Sequence, residues 1–589
     1  MSGRFTRTLV LAVVYGGFVG DRPAGAQTAT GPNLVALSGT TTPDGTTTYK
    51  TFLSPVLNND GQVAFLATLN GLPSPNAPGI FGGVPGAIQT IVRQGDIAVG
   101  AGSPTLPATY LSLTSPVLSD GGQVAFRAGL TGGSTSDGIF TGTLGGGVQA
   151  FVLTGTPAPI SSTPPTLFSS INSDVTVSGS GLVAFVAGLS GPAGGPTSGV
   201  FAGVPGTTTV QPAALSGPGT GLTSFTVGGA AVNDAGGVAF IAFLSSGPSL
   251  PGLVVKSPHL AFPVVFVQQG GAAPGGGTYN FFSQPAYNSS DLMVFSASLA
   301  GGSSGTGLFS QSFQLGTPAV AVARPGDPAP GGGTFAGFHS PVLNNAGQLA
   351  FHGDTSVTGV PAQGVFTGLP GGLQAVAQSG TPAPAGGTFD RFNSPVLNSS
   401  GQVAFTAFLR TGVDGVTSDN DFGLYAGSPT GVVKIVREGD QVVVGASQRT
   451  VANLGITFGL PLAGTDDSFR GQSFSDPGLL VYELKFTDGS SGIFTSQLAP
   501  VPGDYNHNGV VDAADYVLWR KGDPAADGNG DTMVDQSDYD FWRARFGNAA
   551  AGAGSGVVAG AAVPEPAGAA LLIVGLLATC SCRRSGRAS

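Results

Sequence analysis

The chain has 589 residues, of which 9% are charged, and its formal net charge is −10. This acidic balance disfavours nucleic acid and anionic lipid as partners, and the length exceeds what one hydrophobic core supports, so several domains are expected. Glycine (99) and proline (44) are abundant, yet 41% of the residues are hydrophobic. The composition therefore favours short strands joined by tight turns over a disordered chain.

The first 26 residues have the pattern of a secretory signal peptide. Arg4 and Arg7 precede an apolar run from Leu9 to Val19, and the small residues Ala24-Gly25-Ala26 form a cleavage site. An ordinary buried strand is the alternative interpretation. The sequence predicts that residues 1–26 direct export and that the mature chain starts at Gln27.

The stretch Ser54-Pro-Val-Leu-Asn-Asn-Asp-Gly-Gln-Val-Ala-Phe65 recurs along most of the chain. Its full and worn copies end in an aromatic residue at Phe65, Phe126, Phe185, Phe240, Phe295, Phe351, Phe405 and Tyr482. A nearly fixed period of about 57 residues is typical of a propeller, a solenoid or an array. Residues 27–498 are therefore predicted to form one tandem-repeat domain.

Each repeat contains four strand-like pieces, rich in Val, Ile, Phe and Thr and bounded by Gly, Pro, Asn and Asp. In the piece Gln62 to Leu69, one face is apolar and the other is only weakly polar, which predicts a strand covered on both sides. The fold class is therefore predicted to be mainly β, with an eight-bladed β-propeller. A β-helix remains open, as do seven blades with an irregular segment from Gln441 to Gly478.

The tetrapeptide Asn58-Asn-Asp-Gly61 has turn chemistry, because Asn tolerates left-handed backbone and Gly adopts positive φ without strain. The pattern Asn58-x-x-Gly61-x-x-x-Phe65 resembles the NxxGxxxF tandem-repeat proteins, called choice-of-anchor proteins for their varied tails. Four copies depart from it: three have Ser119, Ser178 and Ser475 in place of the Asn, and another has Asp291 in place of the Gly. The resemblance implies surface exposure and no known reaction.

Residues 499–548 contain two tandem loops with the ligand spacing of calcium sites. Calcium takes six to eight hard oxygen ligands, and a Gly at the sixth loop position, here Gly509, permits the sharp turn. Thr532 holds that place in loop two, which predicts weaker binding there. The predicted ligands of Ca²⁺, with Val510 and Met533 serving through their carbonyls, are Asp504, Asn506, Asn508, Val510, Asp512, Asp515, Asp527, Asn529, Asp531, Met533, Asp535 and Asp538.

After each loop comes an Asp-Tyr-x-x-Trp-Arg motif, which resembles a planctomycete-type dockerin type I module. The two copies run from Asp515 to Arg520 and from Asp538 to Arg543. The resemblance implies one exiting helix after each loop and a cohesin-like protein partner. It places four residues toward that partner: Ala513, Ala514, Gln536 and Ser537. Trp519 and Trp542 are interpreted either as partner anchors or as the core of the module.

The C-terminus begins with an uncharged Gly/Ala-rich linker at residues 549–562. In residues 563–589, Val563-Pro-Glu-Pro566 precedes an apolar run ending near Cys582 and a basic end with Arg583. This order resembles a PEP-CTERM sorting signal with a short transmembrane helix. At about 1.5 Å per residue the apolar run is shorter than a hydrocarbon core of about 30 Å, which favours temporary anchoring, with a permanent anchor as the alternative.

The sequence predicts an exported, cell-surface-associated, non-catalytic repeat protein that docks through a calcium-dependent dockerin module, with no nucleic acid partner. The repeat region has three scattered histidines, His259, His339 and His352, and lacks the common hydrolase motifs. Two alternatives stay open. One is a secreted polysaccharide-degrading enzyme of the glycoside hydrolase type, and the other is a module that binds extracellular polysaccharide.

Overall fold

The computed structural model describes residues 28–499 and 503–546. Gaps within these ranges fall at residues 73, 75, 104–105, 173–174, 207–209, 227–229, 246–249, 302–304, 313–317, 340, 459–472, 506–510, 530 and 532. The predicted signal peptide, the linker 549–562 and the sorting segment 563–589 lie outside the described residues.

The repeat region forms an eight-bladed β-propeller built from eight antiparallel sheets. Each sheet corresponds to about one sequence repeat, and we name its strand positions A to D in chain order. The Asn-x-x-Gly turn joins A to B, and the Gln-Val-Ala-Phe piece is strand B. The predicted eight-bladed ring is thus confirmed, and the β-helix and seven-blade alternatives are wrong.

The first strand, β1 (Ala29–Leu37), belongs to the last blade. The strands of blades 1 to 4 are β2 (Thr48–Leu57), β3 (Val63–Asn70), β4 (Ala77–Gly83) and β5 (Gln89–Arg93); β6 (Ile97–Ser103), β7 (Leu106–Leu113), β8 (Val117–Leu118), β9 (Gln123–Thr131), β10 (Asp137–Thr143) and β11 (Val148–Leu153); β12 (Leu167–Ile171), β13 (Thr176–Val177), β14 (Val183–Ser190), β15 (Ser198–Gly203) and β16 (Gln211–Leu215); and β17 (Leu222–Phe225), β18 (Ala231–Val232), β19 (Val238–Leu244), β20 (Leu250–Lys256) and β21 (Val264–Gln268).

The strands of blades 5 to 8 are β22 (Thr278–Phe282), β23 (Ala286–Tyr287), β24 (Leu292–Ala300), β25 (Gly305–Ser312) and β26 (Val320–Ala323); β27 (Thr334–Phe338), β28 (Val342–Leu343), β29 (Leu349–Val357), β30 (Val360–Gly368) and β31 (Gln374–Gln378); β32 (Phe389–Phe392), β33 (Val396–Leu397), β34 (Val403–Leu409), β35 (Phe422–Ser428) and β36 (Gly431–Arg437); and β37 (Gln441–Val444), β38 (Ser447–Phe458), β39 (Leu479–Phe486) and β40 (Ser491–Leu498).

The two ends of the repeat region meet in blade 8. Strand β1 pairs antiparallel with β40, from Ala29 opposite Leu498 to Leu37 opposite Gly492. One blade therefore takes strands from both ends of the domain. This pairing closes the ring, and the backbone groups along the edge of β40 find their hydrogen-bond partners in β1.

In most blades, three aromatic rings pack against one another in the core. In blade 1, Phe65 stacks on Phe81 with ring centroids 5.8 Å apart, and Tyr49 meets Phe81 edge-on at 4.9 Å. Strand C contains a Gly-x-Phe sequence, such as Gly364-Val365-Phe366, and its glycine is needed because the ring two residues later lies over that backbone. A Cβ added at Gly364 would come within 2.7 Å of the Phe366 ring. The prediction that strand B is covered on both sides is confirmed, since Ala64 and Phe65 are both fully buried.

The C-terminal module contains two α-helices, α1 (Ala513–Lys521) and α2 (Gln536–Arg543), and a 3-10 turn at Pro524–Ala526. Each α-helix directly follows one of the predicted calcium loops. Among the described residues, no helix is long and apolar enough to cross a membrane. The predicted sorting helix lies outside those residues.

Candidate functional site

The recurring Asn of the repeat performs a structural task at the A–B turn. In blade 6, Asn344 is fully buried, and its Oδ1 accepts from the amide of Gln348 at 2.9 Å, which fixes the turn. Its Nδ2 donates to the carbonyl of Asn398 in the next blade at 3.0 Å. One side chain thus closes its own hairpin and ties that hairpin to its neighbour. This confirms the predicted turn and adds a contact between blades.

These contacts run from turn to turn around the propeller. The eight links are Asn58 Nδ2 to Ser119 O (3.0 Å), Asp120 N to Gly179 O (3.1 Å), Ser180 N to Asp234 Oδ1 (2.7 Å), Asn233 Nδ2 to Asn288 O (2.8 Å), Asn288 Nδ2 to Asn344 O (3.0 Å), Asn344 Nδ2 to Asn398 O (3.0 Å), Asn398 Nδ2 to Ser475 O (3.1 Å) and Asp476 N to Asn59 Oδ1 (2.8 Å). We call this set the turn ring. Where Ser119 replaces Asn, its Oγ still accepts from the amide of Gln123 at 3.1 Å.

In the second predicted calcium loop, three of the predicted ligands accept hydrogen bonds from the backbone of the loop. The Oδ1 atoms of Asp527 and Asn529 both accept from the backbone amide of Asp531, at 3.1 and 2.9 Å. Asp538 is fully buried, and its Oδ1 accepts from the amide of Gly528 at 2.8 Å. Oxygens from loop positions 1, 3 and 12 therefore lie around one short stretch of backbone. This donor set of carboxylate and amide oxygens fits calcium.

The two loops carry the same helix cap. Asp512 and Asp535, at loop position 9, are the N-caps of α1 and α2, and each accepts from an amide two residues later. Asp515 and Asp538, at position 12, accept from the amides of those N-cap residues at 2.8 Å and complete the capping boxes. Both position-12 carboxylates are fully buried. The acidic spacing therefore serves helix capping as well as any metal.

The remaining predicted ligands differ in their exposure to solvent. Asp504 is 3% exposed, whereas Met533 is 61% exposed. Asn506, Asn508 and Val510 lie outside the described residues, so loop one is described only at its two ends. Thr532, where weaker binding is predicted, also lies outside them.

The two tryptophans of the module hold the loops against each other. Trp519 of α1 donates from Nε1 to the carbonyl of Asp535 at 2.6 Å, and Trp542 of α2 donates to the carbonyl of Asp512 at 3.0 Å. Trp542 is 3% exposed and belongs to the module core with Val511. The structure therefore gives these rings a core role. The four residues expected to face a partner, Ala513, Ala514, Gln536 and Ser537, are all exposed.

A cluster that the sequence reasoning missed lies on blade 6. His339 follows strand A, and His352 and Asp354 lie on strand B, where their ligand atoms come within 4.8 Å of one another. The imidazoles stack with centroids 4.3 Å apart and an interplanar angle of 7°. Burial, with His339 beside it, lowers the pKa of His352 to about 4. Aligning the repeats would have revealed the cluster, because Leu53 and Leu66 of blade 1 hold the matching positions.

The family of unknown function DUF7453 matches four overlapping segments of the chain, residues 24–136, 70–211, 196–363 and 259–504. The chain belongs to this family. The matches overlap and together span the propeller. No curated protein matches the chain.

Several solved structures resemble this DUF7453 propeller. An oligogalacturonate lyase in complex with manganese is 12% identical with a TM-score of 0.34, covering 68% of this chain and 96% of that one. The β-propeller domain of the Trilobed protease from Pyrococcus furiosus is 9% identical with a TM-score of 0.37, covering 67% and 99%. An ulvan lyase of a polysaccharide lyase family is 10% identical with a TM-score of 0.31, covering 68% and 93%. Likenesses at these levels carry no inference about activity.

The two glutamates of the DUF7453 propeller are each 2% exposed. Glu438 accepts from the amides of Phe422, at 3.1 Å, and Leu454, so it ties blade 7 to blade 8. Burial raises the pKa of Glu483 to about 7. Three aspartates that each follow a Gly at the same place in the repeat, Asp96, Asp327 and Asp440, cap turns by accepting from the amide three residues earlier at 2.7–2.8 Å.

Proposed function

We propose that this chain is an exported, surface-associated propeller protein without catalytic activity, which docks to a protein partner through its calcium-binding C-terminal module. The observation that carries the proposal is the duplicated acidic arrangement of that module. In each loop, one Asp caps the exit helix and a second, Asp515 or Asp538, is fully buried. Both carboxylates accept backbone N–H bonds, and a bound cation would further stabilise charge at these buried positions.

The composition of the module supports coupling between calcium and folding. Aspartates outnumber lysines and arginines between residues 499 and 548. Without a cation these carboxylates repel one another, and two short helices bury too little apolar surface to compensate. Calcium would neutralise the loops and leave the exposed starts of α1 and α2 as the docking surface. The propeller would then be the part of the protein that the module positions.

Calcium binding is tested by tryptophan fluorescence of the full chain. The protein has two tryptophans, Trp519 and Trp542, and both lie in the module, so its tryptophan emission reports on the module alone. We expect calcium to change this emission cooperatively and chelation to reverse the change. Asp538→Asn removes a buried ligand and should weaken the response. Asp540→Asn, an equal change of charge on the exposed face of α2, should respond like the wild type.

A variant that fails to fold does not decide the question, so Asp531→Asn provides a second test. Asp531 is exposed, and its replacement should weaken calcium binding without disturbing the core. Emission that is indifferent to calcium in the wild type, or equal responses of all four proteins, would remove the calcium-dependent module from the proposal.

Surface association through the tail is tested separately. If the PEP-CTERM-like segment is a sorting signal that is removed, the mature surface protein ends near Pro566. Mass spectrometry of protein extracted from the cell surface should then find peptides from the propeller and none that contains Arg583. Recovery of an Arg583 peptide from the surface fraction would favour a permanent anchor.

A further inference from the structure

We propose that His339, His352 and Asp354 bind one divalent transition-metal ion, such as Zn²⁺, between blades 6 and 7 of the propeller. The inference is independent of the calcium module, because these residues belong to a different domain and offer a different donor set. It assigns a chemical task to the blade 6 cluster.

The three side chains already converge. Their ligand atoms lie within 4.8 Å of one another, and Nε2 of His339 is 3.2 Å from a carboxylate oxygen of Asp354. Zinc binds imidazole nitrogens and carboxylate oxygens at about 2.0–2.2 Å, so its ligand atoms stand roughly 3.3 Å apart in a tetrahedral site. His339 and Asp354 have side chains 47% and 41% exposed, which leaves them room to close the remaining distance by rotation.

The anchor of the site is His352. This residue is 7% exposed, and its Nε2 is buried and makes no hydrogen bond of normal geometry, although the side chain of Gln363 lies close enough to interact with the ring. Leaving a buried polar atom without a partner is unfavourable, so such an atom calls for an explanation. A metal ion held against His339 and Asp354 would give that nitrogen a ligand bond.

The carboxylate of the cluster has an orienting partner. Gln363, on the neighbouring strand β30, donates from Nε2 to Oδ1 of Asp354 at 3.1 Å. Its own Oε1 accepts from the amide of Phe392 in blade 7 at 3.2 Å. Metal ligands are usually held in this way by hydrogen bonds from a surrounding layer of residues. Here that layer also connects the cluster to the next blade.

The propeller contains its own comparison for these positions. In blade 7 the residues that match His339 and His352 are Asn393 and Thr406, whose side chains form a hydrogen bond of 2.8 Å. In blade 5 they are Ser283 and Ser296, and the Ser283 hydroxyl accepts from the Ser296 amide at 3.1 Å. Small polar pairs therefore satisfy the fold at this place. The fold of the blade therefore does not require two histidines at these positions, or an Asp two residues after the second.

The donor set selects the class of metal. Imidazole nitrogen suits Zn²⁺, Ni²⁺, Co²⁺ and Cu²⁺, whereas Ca²⁺ and Mg²⁺ require shells of oxygen. Three protein ligands leave at least one coordination position open to water or an external ligand. The blade 6 cluster and the calcium loops should therefore be separable by the metal that each accepts.

The test is a titration of the untagged full-length protein with Co²⁺ in the presence of excess Ca²⁺. Co²⁺ bound by nitrogen ligands absorbs visible light, and Zn²⁺ should displace it. We expect one equivalent of Co²⁺ per chain. The double variant His339→Asn/His352→Thr builds the blade 7 pair in blade 6 and should bind at least tenfold more weakly, a loss of about 1.4 kcal/mol. His259→Gln and His507→Gln should bind like the wild type.

Two further variants keep the proposal testable if the double variant misfolds. Asp354→Asn keeps the shape of the side chain and should weaken binding. Gln363→Ala removes the orienting partner and should weaken it by about 10–100-fold. Absent Co²⁺ absorption in the wild type, equal binding by the double variant, or displacement of Co²⁺ by Ca²⁺ would each overturn the proposal. A calcium response of the tryptophans that survives in the double variant shows that the proposed docking function stands apart from it.

Discussion

Asn59 and Asp476, 417 positions apart in the chain, exchange two hydrogen bonds: the Asp476 amide donates to Oδ1 of Asn59 at 2.8 Å, and Nδ2 of Asn59 donates to a carboxylate oxygen of Asp476 at 2.6 Å. They join the A–B turns of blades 1 and 8 and complete the turn ring. The two ends of the propeller also meet within blade 8, where β1 pairs with β40. Closure therefore depends on a strand contact and on a side-chain contact.

The contact between Asn59 and Asp476 should show energetic coupling. Asn59→Ala and Asp476→Ala each remove one partner, and the double variant removes both. Because residues in one hydrogen-bonded network do not act independently, we expect a coupling free energy of about 1–2 kcal/mol. Denaturant unfolding of the four proteins measures it. Additive losses within about 0.3 kcal/mol would show that this contact does not contribute to closure.

A second prediction concerns the repeated Asn itself. Asn344→Ala removes both the turn contact and the link to the next blade, so we expect the free energy of unfolding to fall by about 2–4 kcal/mol. Asn344→Ser should cost roughly half as much, because Ser119, Ser178 and Ser475 show that a hydroxyl still accepts the turn bond. Thermal unfolding compares them. Asn70→Ala, at an exposed strand end, is the control.

Much of the propeller could be predicted because its signals are local. The turn chemistry of Asn58 and Gly61 and the apolar strand from Val63 depend on a few neighbouring residues, and the structure confirms both. The link from Nδ2 of Asn58 to Ser119 of the next blade could not be predicted, because it depends on how closely the ring brings successive turns together. A repeat period does not specify that distance.

The candidate sites likewise combine features that local sequence indicates with contacts that only the fold creates. Loop spacing along the chain indicates calcium ligands, whereas the stacking of His339 on His352 requires the pairing of strands A and B. In the sequence, each histidine is an isolated residue among polar and apolar neighbours. An alignment of the repeats places the pair opposite Asn393 and Thr406 of blade 7, but the contact between the two rings is seen only in the folded blade.

The reciprocal tryptophan contacts predict unequal effects in the module. Trp542→Phe removes the bond to the Asp512 carbonyl and part of the buried core, so calcium should half-saturate the module at a concentration roughly tenfold higher, equivalent to about 1.4 kcal/mol. Trp519→Phe removes the bond to Asp535 from a less buried ring and should have the smaller effect. In each variant the remaining tryptophan reports the titration. Equal midpoints in all three proteins would contradict the role assigned to Trp542.

The last prediction concerns the buried carboxyl of Glu483, which is 2% exposed. Burial raises its pKa to about 7, opposed in part by Lys485 and by a hydrogen bond with Thr457. The folded protein therefore binds more protons at this site than the unfolded chain between about pH 4.5 and 7, so stability falls as the pH rises through that window. The full cost, present above pH 7, is roughly 3 kcal/mol.

Glu483→Gln removes this titration while keeping the size of the side chain. Relative to the variant, the wild type should lose roughly 3 kcal/mol of unfolding free energy between pH 4.5 and pH 8, measured by denaturant unfolding at each pH. Titrations elsewhere in the protein occur in both chains and cancel in the difference. Asp60→Asn, at an exposed turn position, controls for the loss of a carboxylate and should run parallel to the wild type. If the Glu483→Gln curve also runs parallel to the wild type, Glu483 is not held as a neutral acid inside blade 8.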